Sequence, residues 1–590
     1  LLKSRVYLPS VLSAVLLWTA FFPLNWGYVA FIALVPFLTL VRAQGIGRWR
    51  RYTAAWVGGL TFGAMAVNWL RVAHPMMALF AWPGVTLFLS VFWPIALFFL
   101  RRLDRLGQPP LALTAPLVFV ALEYVKAHWP TGYPFMKPIH CYQLSGFAWY
   151  FLGHTQHANL PLLQCADLGG AYLVSAAVAT INGAVHDWAV RWTPFRWFVN
   201  LPRGWVRPIF RTEMMHTAGA LSVLVLLLGY GGYRMIHKPF EPGPRVALLQ
   251  GNISQAEKNQ RGDQKEAEVV PLDQEYLPLA RKVFRSSDRP PDMVIWPETC
   301  WADNWPTLKP GAPDHPNLPN TAQKVASYQA KLAEEVRAVA PCHALIGLNG
   351  EDWDGTRWSK GNTAILLSPN DTGERHTFAG RYDKMHLVPF GEYLPFRETF
   401  PWMTTFSPYK WDYSCTPGES FTRFTFHTVR KDSKADAAKP KVQAYQFGVL
   451  ICYEDSDPFL ARQYHPWAGG EGVDFLVNIS NDGWFDGTEQ HEQHLAVCRF
   501  RAVEARRSIV RAVNMGISAV IDPDGRVLQM IDFEWSDSKK KAGTIVADVP
   551  LDTRGSVYAA VGDWVPLLCW TGLVSGLVTG RWMRRRAVSM

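Results

Sequence analysis

No CxxC pair occurs among the eight cysteines of this 590-residue chain, and neither zinc-finger spacing nor an RNP-like stretch is present. These absences argue against a thiolate metal site and against the familiar nucleic-acid modules. Charged residues are sparse at 18%, while hydrophobic residues reach 49% with 26 tryptophans, a high share for a soluble protein. The apolar stretch Leu8–Phe22 runs into further apolar stretches without a small-residue cleavage site, so it does not read as a cleaved secretory signal. No internal repeat is visible. Cys300, Cys342 and Cys415 fall in the polar half and are free to pair there as far as spacing goes.

What is present divides into two halves. Apolar stretches at 8–22, 28–41, 54–70, 79–100, 111–127, 160–186, 217–233 and 565–582 predict a polytopic α-helical membrane domain of about eight spans. The first two are short and call on flanking Trp and Tyr at the interface. Basic residues gather in Arg42–Arg51, Arg101–Arg105, Arg191–Arg211 and Arg581–Arg586, each after an even-numbered stretch. The positive-inside tendency makes those loops cytoplasmic, puts both termini inside, and exports the polar segment from Arg245 to about Thr553. The net charge of +10 is therefore read as topology rather than as a nucleic-acid surface.

Domains are expected at 1–234 (helical bundle), 245–553 (catalytic) and 564–590 (final span and basic tail). In the polar half, short apolar runs predict strands at Val246–Gln250, Met293–Trp296, Ala344–Leu348, Thr363–Leu367, Gly448–Cys452, Phe475–Ile479, Ile509–Ala512 and Ser518–Ile521. Three- and four-residue spacing predicts helices over 272–284, 321–340 and 490–507, and the alternation implies a layered α/β domain. Asp522-Pro523-Asp524-Gly525 signals a hairpin into a following strand. Trp305–Asn320 and Arg430–Lys441 read as loop insertions.

Three motifs follow these strands or an extended segment: Trp296-Pro297-Glu298, Tyr382-Asp383-Lys384 leading to Val388–Glu392, and Ile451-Cys452-Tyr453-Glu454. Together they hold a carboxylate, an ammonium and a thiol, the set needed to form and break a thioester. Strand ends of one sheet converge on a cleft, so wide sequence separation does not forbid a joint site. Taken singly, Glu298 is either a solvated strand-end carboxylate or a base in a cleft, Lys384 either a surface lysine or an oxyanion donor, and Cys452 either a core thiol or a nucleophile. Glu392 and Glu454 are candidates to orient Lys384 or are ordinary surface charges. A base and a cation beside Cys452 are expected to raise its thiolate fraction.

The set resembles the Glu-Lys-Cys triad of the nitrilase (carbon-nitrogen hydrolase) superfamily. In order along the chain, QGNI from Gln250, WPE, YDKMHLVPFGEYLP, ICYED, NISNDGWF, QHLAVCRFRAVEARR and VRAVNMGISAVIDPDGRV are similar to the signatures of its membrane member, the apolipoprotein N-acyltransferase family. Thr131–Pro134 and Leu152–Gln156 are similar to that family's exported loop. The resemblance spans nearly the whole chain. It implies an exported α/β nitrilase-like α-β-β-α sandwich, with Glu298 as general base, Lys384 as oxyanion stabiliser and Cys452 as acylated nucleophile. Glu392, Tyr453 and Glu454 are implied as supporting active-site residues. Two departures are Asn259 where the family has tryptophan and an insertion near Met136–Gly146, while Asn478, Asn481 and Asp482 resemble family positions and are read as turn and sheet-end residues.

The implied reaction needs no cofactor and no metal. A membrane phospholipid donates an acyl chain to Cys452, and the amine of a diacylglyceryl-cysteine on an apolipoprotein accepts it. The implied location is the bacterial inner membrane, with the catalytic domain on the periplasmic side. Two other readings stand beside this one: a membrane-tethered amidase acting on a soluble amide, and a non-catalytic membrane scaffold. An intact triad speaks against the scaffold and a multi-span bundle against a soluble substrate.

Overall fold

A computed structural model describes residues 6–73, 75, 77–129, 146–192, 210–236, 239–255, 257–258, 272–286, 289–395, 400–406, 413–430, 441–466 and 472–589. The chain divides into two compact units, one of Leu1–His237 with Ser556–Met590 and one of Lys238–Gly555. Asn259, Thr131–Pro134, 136–145 of the expected insertion, and 431–440 lie outside the described residues, as does most of the Arg191–Arg211 connection.

The first unit is helical. Among the described residues, four helices are long and apolar enough to cross a membrane: Met77–Asp104, Leu111–His128, Ala166–Ala189 and Met214–Arg234. Leu8–Thr19 and Gly27–Arg42 are apolar but shorter, and Arg48–Ala66 and Trp564–Ser589 are also helical. At one end of the bundle the Arg42 guanidinium reaches Asp104 at 2.8 Å, Asp187 at 2.9 Å and the Pro109 carbonyl at 2.7 Å, which ties helix ends together there.

The second unit has two sheets. Its strands are β1 (Glu241–Gln250), β2 (Met293–Ile295), β3 (Trp305–Leu308), β4 (His343–Trp353), β5 (Trp358–Pro369), β6 (His376–Asp383), β7 (Arg423–Arg430), β8 (Lys441–Ile451), β9 (Phe475–Ser480), β10 (Ser508–Val513), β11 (Ala519–Ile521), β12 (Val527–Met530) and β13 (Gly543–Leu551). One sheet runs β13-β1-β2-β4-β5-β6 with β3 beside β4, and the other runs β12-β11-β10-β9-β8-β7.

Period-two alternation builds the layers. Val246 and Leu248 of β1 meet Val449 and Ile451 of β8 between the sheets. Ala247 and Leu249 face the other way, onto Tyr276, Ala280, Leu332 and Val336 of the helices Leu272–Ser286 and Thr321–Arg337. On the far side Leu450 and Leu476 pack against Leu495, Cys498 and Ala502 of the helix Gln490–Ala505. The result is an α-β-β-α sandwich, and each fully buried Val or Ile of its core contributes roughly 1.5–3 kcal/mol.

Two expectations about elements need correction. Trp305–Leu308 is a strand paired in parallel with β4, not a loop insertion, because Trp305 is buried in the core beneath its Pro-rich surroundings. The strand expected to include Cys452 stops at Ile451, where the chain turns into the 3-10 helix Cys452–Ser456. Cys300, Cys342 and Cys415 are all free thiols.

Candidate active site

Glu298 follows β2, between β1 and β4, and its backbone crosses β4 at Gly347. A Cβ on Gly347 would collide with the Pro297 carbonyl and stand 2.7 Å from Glu298 Cα, so glycine is needed for this approach. The carboxylate is 5% exposed and held at both oxygens. Oε1 accepts from Asn362 Nδ2 at 2.6 Å and Oε2 from the Asn481 amide at 2.8 Å. Lys384 Nζ lies 3.4 Å from Oε1.

Lys384 follows β6, and its amide donates to the Asn362 carbonyl at 2.8 Å. Its ammonium is 1% exposed, 2.9 Å from Glu392 Oε1 and 2.8 Å from Glu392 Oε2. Burial acts to lower its pKa; the carboxylates of Glu392 and Glu298 outweigh that and hold it well above the ordinary value, so the group is a cation. Glu392 is fixed in turn by the Val388 amide at 2.8 Å and by Asn362 Nδ2 at 2.7 Å.

Cys452 is half-buried directly after β8, with a left-handed φ of 54°. Thr299, after Glu298, and Phe390, just before Glu392, have φ of 45° and 63°. Non-glycine residues in this region carry strain of about 1–3 kcal/mol and gather at sites whose surroundings over-determine them. Burial first, and the Glu298 charge second, push the Cys452 thiol well above its ordinary pKa, while Lys384 pulls it down. The resting group is the protonated thiol, contrary to the expected thiolate enrichment. Desolvation outweighs the cation, so a nucleophilic role for this thiol would call for a base to take its proton.

Glu454 does not touch Lys384. It is fully buried and acts as a bracket between two loops. Oε1 accepts from the Met385 amide at 2.7 Å and the His386 amide at 3.1 Å, Oε2 from the Ile451 amide at 2.7 Å, and the Tyr382 hydroxyl lies 3.0 Å from both oxygens. The residues after Lys384 and before Cys452 are thereby tied to one carboxylate. Tyr453 sits in the same 3-10 turn, where its carbonyl accepts from Ser456 Oγ at 2.7 Å.

Sequence reasoning missed Asn362, whose single amide nitrogen bridges Glu298 and Glu392. It lies in β5 between Gly361 and Thr363 and has no local signal; only strand pairing brings it to the cleft. Asn481 was read as a turn residue, yet its amide holds the Glu298 carboxylate. Lys258 ties the turn after Glu298, donating to the Thr299 carbonyl at 2.8 Å and hydroxyl at 3.1 Å, and burial draws its ammonium down to about 8. No group of three or more His, Cys, Asp or Glu that could hold a metal occurs among the described residues.

A buried carboxylate, a buried ammonium and a strained thiol on neighbouring sheet ends are the groups that acyl transfer through a covalent thioester calls for. The carbon-nitrogen hydrolase family model matches residues 245–559, and this chain belongs to that family. A second model, the apolipoprotein N-acyltransferase N-terminal domain, matches residues 13–184. Among curated relatives, the apolipoprotein N-acyltransferase of Geobacter metallireducens is 28% identical over 99% of this chain and 96% of its own. That of Rhodopirellula baltica is 27% identical over 97% of each. A solved Nesterenkonia AN1 amidase of the nitrilase superfamily covers 53% of this chain and 93% of its own, at 16% identity and a TM-score of 0.29.

Proposed function

We propose that this chain is a phospholipid-dependent apolipoprotein N-acyltransferase, with Glu298, Lys384 and Cys452 as its catalytic residues. The observation that carries the reading is the joint burial of Glu298, Lys384 and Glu392 around a nucleophile candidate, in a chain similar over nearly its full length to N-acyltransferases. Glu298 takes the Cys452 proton as sulfur attacks the ester carbonyl of a phospholipid. The tetrahedral oxyanion is stabilised by the Lys384 ammonium. Collapse breaks the C–O bond; the lysophospholipid leaves as an alcohol with the proton from Glu298, and the acyl group stays on sulfur. The α-amine of a diacylglyceryl-cysteine at the start of an apolipoprotein then attacks the thioester and gives up a proton to Glu298. The second intermediate collapses to the amide, and the thiol regains its proton.

Glu392 holds Lys384 in place, and Tyr453 and Glu454 support the turn that presents the sulfur. Both substrates carry chains whose exposure to water costs about 0.8 kcal/mol per methylene, which accounts for a membrane unit in the same chain. In this reading about eight spans put the catalytic unit on the periplasmic side of the bacterial inner membrane with both termini cytoplasmic, an orientation that the basic clusters after even-numbered stretches support. The test is intact mass of purified protein after exposure to phospholipid. An acyl-sized adduct on Cys452 is expected; turnover of a soluble amide with no adduct from lipid would assign the site to an amidase instead.

A further inference from the structure

Behind Cys452 lies a second set of buried charged groups that the chemistry above does not use. Asp455, Asp482, His494 and Arg511 come from the turn after β8, the turn after β9, the helix Gln490–Ala505 and β10, and each is at most 1% exposed. His494 Nε2 is 2.7 Å from Asp455 Oδ1, and Nδ1 is 3.0 and 3.1 Å from the two oxygens of Asp482. Arg511 Nη1 reaches Asp455 Oδ2 at 2.7 Å and Nη2 reaches Asp482 Oδ2 at 2.9 Å. Arg511 Nη2 also lies 2.9 Å from His494 Nδ1, a close approach of two donors that share the Asp482 carboxylate.

With carboxylates at both ring nitrogens, His494 is an imidazolium, and two anions are balanced by two cations. Burial and Arg511 act against that charge, but Asp455 and Asp482 outweigh them and raise its pKa to about 9. His491, one turn before it, is pulled down to about 4 by burial and stays neutral, and the buried Cys498 thiol beside Asp455 is held protonated. An isolated charge at this depth would cost several kcal/mol, so the four groups stand or fall together.

Hydrogen bonds lead from the cluster to the backbone of the nucleophile. Arg511 Nη1 donates to Asn478 Oδ1, which turns the Asn478 amide nitrogen toward the Leu450 carbonyl at 3.2 Å and the Cys452 carbonyl at 3.3 Å. Cys452 holds a left-handed φ of 54° that an L side chain adopts at a cost, and the second of these bonds is made to its own carbonyl. We propose that Asp455, Asp482, His494 and Arg511 form a charge-balanced clamp that, through Asn478, fixes the Cys452 carbonyl and keeps the nucleophile in its strained conformation. Asn478 and His494 are positioning residues, and the inference rests on the acyltransferase reading only for where the sulfur must point.

Asn478→Ala and His494→Gln, made in the full membrane-inserted chain, test this. Single-turnover acylation of Cys452 by phospholipid should fall roughly 100-fold in Asn478→Ala, the scale of a small misplacement of a reacting group. Asn478→Ser, which returns a donor, should recover part of that loss. In His494→Gln the unbalanced Asp482 acts on the thiol and should move the acylation–pH profile upward by about one unit. Iodoacetamide alkylation of Cys452 relative to Cys342 should change in all three variants. That ratio uses no lipid, so it separates failure of the clamp from failure of the acyltransferase reading. Should Asn478→Ala not fold, Asn478→Ser and His494→Gln carry the same readouts. Folded variants with wild-type acylation, an unmoved pH profile and an unchanged alkylation ratio would overturn the clamp.

Discussion

Lys384→Met removes the ammonium that lies between Glu298 and Glu392 and leaves a side chain of similar length. In the wild type that ammonium is 3.4 Å from Glu298 Oε1 and 2.8 Å from Glu392 Oε2. Loss of a preorganised oxyanion donor costs about 10²–10³ in rate, or roughly 2.7–4 kcal/mol. A second loss adds to it. Lys384 lowers the Cys452 thiol pKa against burial and Glu298, so its removal drives the thiol further from ionisation. One unit of that change is worth about 1.4 kcal/mol and another tenfold. Glu298 and Glu392 are then left as like charges bridged by Asn362, at 2.6 and 2.7 Å, with no cation between them. Together these place the Met variant about 10³–10⁴ below wild type in both thioester formation and aminolysis. The assay is quenched single-turnover mass spectrometry of Cys452 at neutral pH, followed by a chase with a diacylglyceryl-cysteine peptide. A folded Lys384→Met protein within tenfold of wild type in either step would refute the oxyanion role.

Further outcomes follow from the same geometry. Glu298→Gln should slow thioester formation most at low pH and recover as pH rises: the base is gone, but so is the charge that raises the thiol, and thiolate then forms unaided; a defect constant across a pH series would leave Glu298 a non-base role. Glu454→Ala strands the amides of Met385, His386 and Ile451, each at about 1–3 kcal/mol, and should lower the thermal stability of the catalytic unit before any effect on chemistry is read. His494 has its pKa raised from 6.5 to about 9, so its contribution, about 3 kcal/mol, is complete below pH 6.5 and is lost as pH climbs through about 9; thermal midpoints should fall over that window, and in His494→Gln they should not.

Much of the site was legible because its chemistry sits in short, strand-terminal motifs. Glu298, Lys384 and Cys452 each close an apolar or extended run, and that local contrast is visible without coordinates. Asn362 offers no such contrast: it is a polar residue inside β5, and its value comes from two carboxylates that pairing with β4 and β6 brings to it. The hydrogen-bond partners of Glu454 were illegible for a related reason. An acid beside a nucleophile suggests electrostatics, whereas this one spends its lone pairs on backbone amides that no sequence pattern marks. In the fold, β7 and β13 went unread although Phe424 and Phe426, and Ile545, Ala547 and Val549, alternate inward; polar outer faces diluted the signal. The buried charges of Asp482, His494 and Arg511 look in sequence like the polar faces of a turn, a helix and a strand, and only the four-layer packing turns them inward.

The central claim is that Cys452 carries the acyl group between two half-reactions, and the most direct measurement follows that group. Purified wild-type protein is loaded with phospholipid bearing a labelled acyl chain, freed of excess lipid, and mixed with a diacylglyceryl-cysteine peptide. The label should first appear on Cys452 as a hydroxylamine-sensitive adduct, then leave it at the rate at which labelled N-acyl peptide appears, with neither event in Cys452→Ala. Labelled peptide formed by the Ala variant, or formed by wild type without passing through Cys452, would contradict the account.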